Sequence, residues 1–70
     1  MGRRIWKKYD REIANLNKEM KLEQKLFHRS LTWEEANMHQ ERYTLLRIRR
    51  DEIVRKAEFE VEAAYDLVIA

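Results

Sequence analysis

The sequence contains no cysteine and no proline, and its single glycine is Gly2. Without cysteine, the chain cannot form disulfides, thiolate nucleophiles or zinc–thiolate sites. Strand-rich folds need several turn residues with positive φ, and residues 3–70 contain no glycine to supply them. The composition therefore predicts an all-α protein. The absence of cysteine is compatible with a cytoplasmic location, which is the location we expect.

Long apolar runs are also missing. No segment approaches the ~18 consecutive apolar residues of a membrane span, and no signal peptide follows the basic start. With 70 residues and 8.7 kDa, the chain is expected to form one domain over residues 1–70. Charged residues make up 40% and hydrophobic residues 44%, a mixture typical of long amphipathic helices. We therefore expect no membrane association.

One interruption divides the helical pattern. Thr32 and Glu35 have the spacing of a capping box, in which the hydroxyl and the carboxylate satisfy amides at the start of a helix. The cations of Lys25, His28 and Arg29 stand where a preceding helix would end, which is the favourable side of its dipole. The pattern predicts helices over about residues 3–29 and 33–68, joined as an antiparallel helical hairpin.

Apolar residues recur at steps of three and four, as in coiled coils. The predicted seam consists of Ile5, Tyr9, Ile13, Leu16, Met20 and Phe27 with Tyr43, Leu46, Ile53, Val54, Ala57, Val61, Ala64, Tyr65 and Val68. A second apolar stripe, which points away from that seam, contains Leu22, Leu26, Leu45, Ile48 and Phe59. Two helices bury only one face each against the other, so the second stripe predicts a further layer. We expect a homodimer that forms a four-helix or coiled-coil-like bundle.

Counting residues outward from the turn places residue i opposite about residue 61 − i. This register sets Arg3 opposite Glu58, so that the chain beyond Phe59 extends past helix one. The overhang is the most apolar stretch of the sequence. Its residues Val61, Ala64, Tyr65 and Val68 are the predicted self-association surface.

The same register brings two basic clusters together at the open end of the hairpin. Residues 3–11 carry a local charge of +4 and residues 47–56 one of +3. The resulting basic-aromatic patch is the candidate partner-binding site, and it contains Arg3, Arg4, Trp6, Lys7, Lys8, Tyr9, Arg11, Arg47, Arg49 and Arg50. Arginine and aromatic side chains are common anchors of protein interfaces. A solvated face, partly matched by the acidic C-terminal segment, is the simpler interpretation of these charges.

Features of an enzyme are scarce. Glu35 and His39 are four residues apart on one helical face, but two ligands do not make a metal site. Ser30 is the only serine, and a hairpin of this size is expected to lack a substrate pocket of ~300 Å³. We therefore expect no catalysis, no cofactor, no metal and no small-molecule substrate.

The leading hypothesis is a small protein-binding regulator or inhibitor. It would contact a partner with an acidic surface through the basic-aromatic patch, or use the second apolar stripe. The alternative is a dimeric nucleic-acid-binding protein that uses the basic residues of the same patch, although the sequence has no recognised DNA- or RNA-binding motif.

Overall fold

Two long α-helices make up the fold. The computed structural model describes the backbone of residues 2–69 and the side chains of residues 3–67. Helix α1 spans Gly2–Arg29 and helix α2 spans Trp33–Ile69. They pack side by side in opposite directions and form a rod of 57 × 15 × 11 Å. The predicted all-α helical hairpin is confirmed.

The turn between the helices uses the predicted cap. The Glu35 amide donates to Thr32 Oγ1 at 3.1 Å, as in a capping box. The Glu35 carboxylate reaches back to the amide of Leu31 at 3.4 Å, one residue earlier than the standard motif requires. At the end of α1, the Ser30 hydroxyl donates to the Leu26 carbonyl at 2.7 Å. These side chains satisfy backbone groups at both helix ends, which fixes the position of the turn.

The core lies along the seam between the helices. Tyr9, Leu16 and Met20 of α1 are 7%, 7% and 4% exposed, and Ala57 of α2 has no exposed surface. Eight further members of the predicted seam are half-buried: Ile5, Ile13, Tyr43, Leu46, Ile53, Val54, Val61 and Ala64. Two members among the described side chains are exceptions. Val68 lies outside the described side chains. The three-and-four periodicity therefore identified most of the seam.

The exceptions are Phe27 and Tyr65, which are 37% and 66% exposed. The prediction placed both in the seam and was wrong for them. Near the turn, Leu26 is half-buried in place of Phe27, although the sequence pattern assigned Leu26 to the outer stripe. The pattern failed here because Glu23 takes the seam position between Met20 and the helix end and pairs with His39 across the seam.

Polar pairs interrupt the seam at three levels. His39 Nδ1 lies 2.6 Å from Glu23 Oε2 near the turn. In the middle, Arg50 Nη1 donates to Asn17 Oδ1 at 3.3 Å. Towards the open end, the Tyr9 hydroxyl donates to Glu60 Oε1 at 2.7 Å. Polar pairs at seam positions specify register, because any sliding of one helix along the other would leave them without partners.

The register differs from the one obtained by counting residues. Contacting side chains have residue numbers that add up to between 61 and 69, about 65 on average, whereas counting gave 61. The difference follows from side-chain direction. Every Cα–Cβ bond tilts towards its own helix N-terminus, so the side chains of α1 lean to the open end and those of α2 lean to the turn.

The predicted overhang beyond Phe59 is consequently wrong in its extent. Glu60 contacts both Lys8 and Tyr9 of α1, and Val61 and Ala64 are half-buried. These two residues belong to the seam of the hairpin itself and are not a free self-association surface. Among the described side chains beyond that point, Tyr65 and Leu67 are 66% and 80% exposed.

Candidate functional site

The two basic clusters meet only in part. Counting predicted that Arg11 faces Arg50, but Arg50 hydrogen bonds to Asn17, six residues further along α1. This offset corresponds to about 9 Å along the helix axis. Arg50 also contacts Asp51 at 3.3 Å, and Arg49 lies 3.7 Å from Glu12. Arg50 is thus displaced towards the middle of the hairpin, whereas Arg49 reaches the end of the first cluster at Glu12, and both arginines face carboxylates.

The first cluster lies beside the acidic part of α2. Lys8 Nζ is 3.9 Å from Glu60 Oε1 and 5.4 Å from the centre of the Tyr9 ring. Trp6 is half-buried and Tyr9 is buried, so the tyrosine in particular is not an exposed anchor for a partner. The predicted basic-aromatic patch is therefore divided by the observed register: its aromatic residues face the seam, and part of its charge is matched within the chain.

Tyr9 titrates differently from a free phenol. Its hydrogen bond to Glu60, followed by burial and by the negative charges of Glu60 and Glu12, raises the pKa of Tyr9 above its ordinary value of 10.0. A raised pKa in the folded state means that folding favours the protonated phenol. The resulting stabilisation is fully present below pH 10.0 and is lost as the pH rises through the folded-state pKa.

We expect Tyr9 to lose its proton at a higher pH in the folded protein than in the chain unfolded by urea. An alkaline titration followed by ultraviolet absorbance should therefore differ between the folded and unfolded states, and this difference should shrink in Tyr9→Phe and persist in the exposed control Tyr65→Phe. Loss of the difference in the control, or its persistence in Tyr9→Phe, would contradict the contact with Glu60.

A cationic row on the outer side of α1 was not identified from the sequence. Its members are Arg4, Arg11, Lys18 and Lys25, which are seven residues apart and therefore project from nearly the same side of the helix. Lys18 lies two residues from both Leu16 and Met20, about 200° around the helix, so the row points away from the seam. All four side chains are exposed, and none lies within 4 Å of a carboxylate among the described side chains.

An apolar face crosses both helices beside this row. We define it by Leu22 of α1 and Leu45 of α2, which are 56% and 67% exposed. Ile48 and Phe59, which are 49% and 71% exposed, each lie two residues from seam residues on both sides and therefore point to the outer edge of α2. Leu22, Leu45 and Leu46 line an open groove of about 450 Å³, with charged side chains at its rim. The prediction that the second stripe points away from the seam is confirmed for these four residues. The sequence predicted that the hairpin lacks a substrate pocket of ~300 Å³. This groove is larger than that volume, but it is open to solvent and not an enclosed pocket.

The two helices carry opposite net charges. Helix α1 has nine Lys and Arg against four Asp and Glu, a net charge of +5. Helix α2 has six against nine, a net charge of −3. Together they give the +2 of the whole chain. The apolar face thus lies between a basic helix and an acidic one.

The imidazole of His39 takes part in a polar network near the turn. Glu23 accepts from His39 and also lies 3.9 Å from Arg42, and both Glu23 and His39 are largely buried. Among the described residues, no three histidine or acidic side chains gather into a group that would hold a metal ion. The partner of His39 is therefore Glu23 of the opposite helix, whereas the sequence had singled out Glu35.

Neither helix, over the residues described, is long and apolar enough to cross a membrane. Comparison of the chain with protein-family models, with curated proteins and with solved structures found no match.

Proposed function

We propose that this chain is a small, non-enzymatic, protein-binding regulator that holds a helical surface of its partner against the apolar face. The observation that carries the proposal is the exposure of Leu22 and Leu45, which face each other across one groove between the helices. Large apolar side chains that cluster on a surface across two elements are typical of interaction sites. A helix laid along a groove between two helices is a common way to cover them.

The exposed area of the chain supports the same conclusion. A compact monomer of 8.7 kDa is expected to expose about 4,700 Å². This hairpin exposes 6271 Å². The excess of about 1,500 Å² is larger than the about 800 Å² that one partner contributes to a standard protein interface. The hairpin therefore has ample surface to form such an interface.

Charge indicates the kind of partner. The cationic row runs along one edge of the apolar face, and its four members are spaced about 10.5 Å apart on a straight helix. An α-helix with acidic residues at the same seven-residue spacing fits this row more closely than an irregular loop does. We propose a helical partner with an apolar stripe and an acidic edge, in which the charges favour correct orientation and fast association.

Other aspects of the proposal follow from the composition. The protein acts by binding, with no cofactor and no small-molecule substrate, and its groove is lined by three leucines and by Glu19, Glu23 and Arg42, of which Glu23 and Arg42 lie 3.9 Å apart. We place it in the cytoplasm, where a cysteine-free helical protein needs no disulfide for stability.

Nucleic acid is the second candidate partner, and the cationic row is the observation that favours it. Four exposed cations along one helix can neutralise phosphates, and the resulting affinity falls steeply with added salt. The divided basic-aromatic patch weakens this candidate, because Tyr9 is buried and cannot stack on a base. Binding to generic DNA or RNA that weakens with salt would support it, and no binding at low salt would exclude it.

The proposal is tested by affinity capture from the native host. The chain is immobilised as the wild type, as Leu45→Asp on the apolar face and as Leu31→Asp at the turn, where Leu31 is 94% exposed. We expect the wild type and Leu31→Asp to retain the same protein, and Leu45→Asp to lose it. The retained protein is then purified and its binding to each variant measured. Equal binding to all three variants would contradict the apolar face as the working surface.

A further inference from the structure

We infer that a second copy of this chain can cover the apolar face, with α1 of each copy lying over α2 of the other. The inference rests on the proposed function, since it uses the same face, and it identifies one partner of that face.

A symmetric dimer of two stacked hairpins has two simple arrangements. In the first, the two-fold axis runs parallel to the helices and places α1 over the partner's α2, so that every neighbouring pair is antiparallel. In the second, the axis is perpendicular to the helices and places α1 over the partner's α1. The second arrangement brings together two helices with a net charge of +5 each. The first pairs +5 with −3, so electrostatics favours it.

The register within one hairpin predicts the contacts between two. A two-fold axis parallel to the helices keeps both copies at the same height, so α1 meets the partner's α2 with the same residue sum, about 65. Leu22 then lies against Leu45 of the partner copy, and Leu45 against the partner's Leu22. The four leucines close over the groove and form a small apolar core around the axis.

Two of the four members of the cationic row meet carboxylates in this arrangement. Glu41 and Glu62 are exposed on the outer side of α2. At the same register, Lys25 approaches the partner's Glu41 and Arg4 approaches the partner's Glu62. A third level pairs Arg11 with Arg55, which is unfavourable, although Glu52 lies one helical turn from Arg55 and offers Arg11 a carboxylate. The alternative arrangement offers the cationic row only a second cationic row.

The dimensions also suit a second copy. The broad side of the hairpin measures 57 by 15 Å, which is about 850 Å². A standard interface uses about 800 Å² from each partner. A second hairpin has the same dimensions, so it can lie along this side over its whole length.

Disulfide cross-linking tests the arrangement directly, because the wild-type chain has no cysteine to interfere. The variants Leu22→Cys and Leu45→Cys are prepared separately, then mixed at micromolar concentration and oxidised gently. The control mixture contains Lys21→Cys and Leu45→Cys, in which the adjacent, exposed residue 21 lies on another side of α1. Mass spectrometry identifies the cross-linked pairs.

We expect the 22–45 disulfide to form about 100-fold faster than the 21–45 disulfide, since the dimer raises the effective concentration of the two thiols to the millimolar range. Leu22→Cys alone should cross-link no faster than the control, because the two α1 helices lie diagonally opposite each other in the four-helix bundle and keep the two copies of residue 22 apart. Rapid 22–22 cross-linking would overturn the arrangement. If the 22–45 disulfide forms at the control rate, no dimer uses this face. The capture experiment then decides independently whether the proposed function holds.

Discussion

Ala57→Glu is expected to unfold the hairpin. Ala57 has no exposed surface, and its single methyl group allows α1 and α2 to approach closely in the seam. A glutamate there would place a carboxylate without a partner between the helices, near Glu60, and would force them apart. An uncompensated buried charge costs about 3–5 kcal/mol. A core in a chain of this length supplies only ~3–5 kcal/mol, so the substitution removes most of the stability.

Ala63→Glu is the matched control. It makes the same change of residue and charge in the same helix, but at a position that is exposed. Alanine and glutamate are both good helix formers, so helix propensity changes little at either site. Circular dichroism and urea unfolding should show a large loss of helix in Ala57→Glu and almost none in Ala63→Glu. If the two variants unfold at the same urea concentration, the seam does not pass through Ala57.

Leu22→Asp combined with Leu45→Asp is expected to abolish self-association while both helices remain. A dimer buries four leucine side chains, two from each copy, and each contributes at least about 1.5 kcal/mol when removed from water. Their loss amounts to about 6 kcal/mol, which corresponds to roughly a 10⁴-fold weaker dimer. Four aspartates gathered around the two-fold axis would weaken it further by repulsion.

The matched control for this variant is Leu31→Asp combined with Trp33→Asp. Both residues are at the turn, 94% and 80% exposed, so the control removes as much apolar surface and adds the same charge. Size-exclusion chromatography with light scattering should give the monomer mass for the first variant and the wild-type mass for the control. Equal masses for both variants, whether monomer or dimer, would show that the apolar face does not join the copies.

The sequence predicts the helices well because their signals are local. A capping box, the absence of glycine and a three-and-four periodicity each depend on residues within a few positions of one another. The hydrogen bond between Glu35 and Thr32 and the burial of Leu16 and Met20 follow directly from these patterns. Exposure of the second stripe is equally predictable, since a helix has only one side that faces its neighbour.

The candidate site is harder to predict because it depends on register. Counting along the backbone neglects the tilt of side chains towards each helix N-terminus, and this error grows to eight residues at the pair formed by Tyr9 and Glu60. Counting placed Arg50 opposite Arg11, whereas Arg50 hydrogen bonds to Asn17. The cationic row, in contrast, has a visible signal: Arg4, Arg11, Lys18 and Lys25 are spaced at seven residues and could have been found by testing charged residues for the same period as apolar ones.

Self-association on the apolar face would have a consequence for regulation. A second copy and a different helical partner would compete for Leu22 and Leu45, so the concentration of the chain sets how much of the face is available. Under the two proposals, the face would be open to another protein at low concentration and covered by a second copy at high concentration.

The central claim is that the apolar face is an interface, which a second copy can cover. Sedimentation equilibrium of the wild-type chain over a range of micromolar concentrations tests it most directly. We predict a mass that rises with concentration to twice the 8.7 kDa of one chain and stays there. A mass of 8.7 kDa at every concentration, with both helices intact by circular dichroism, would contradict the dimer.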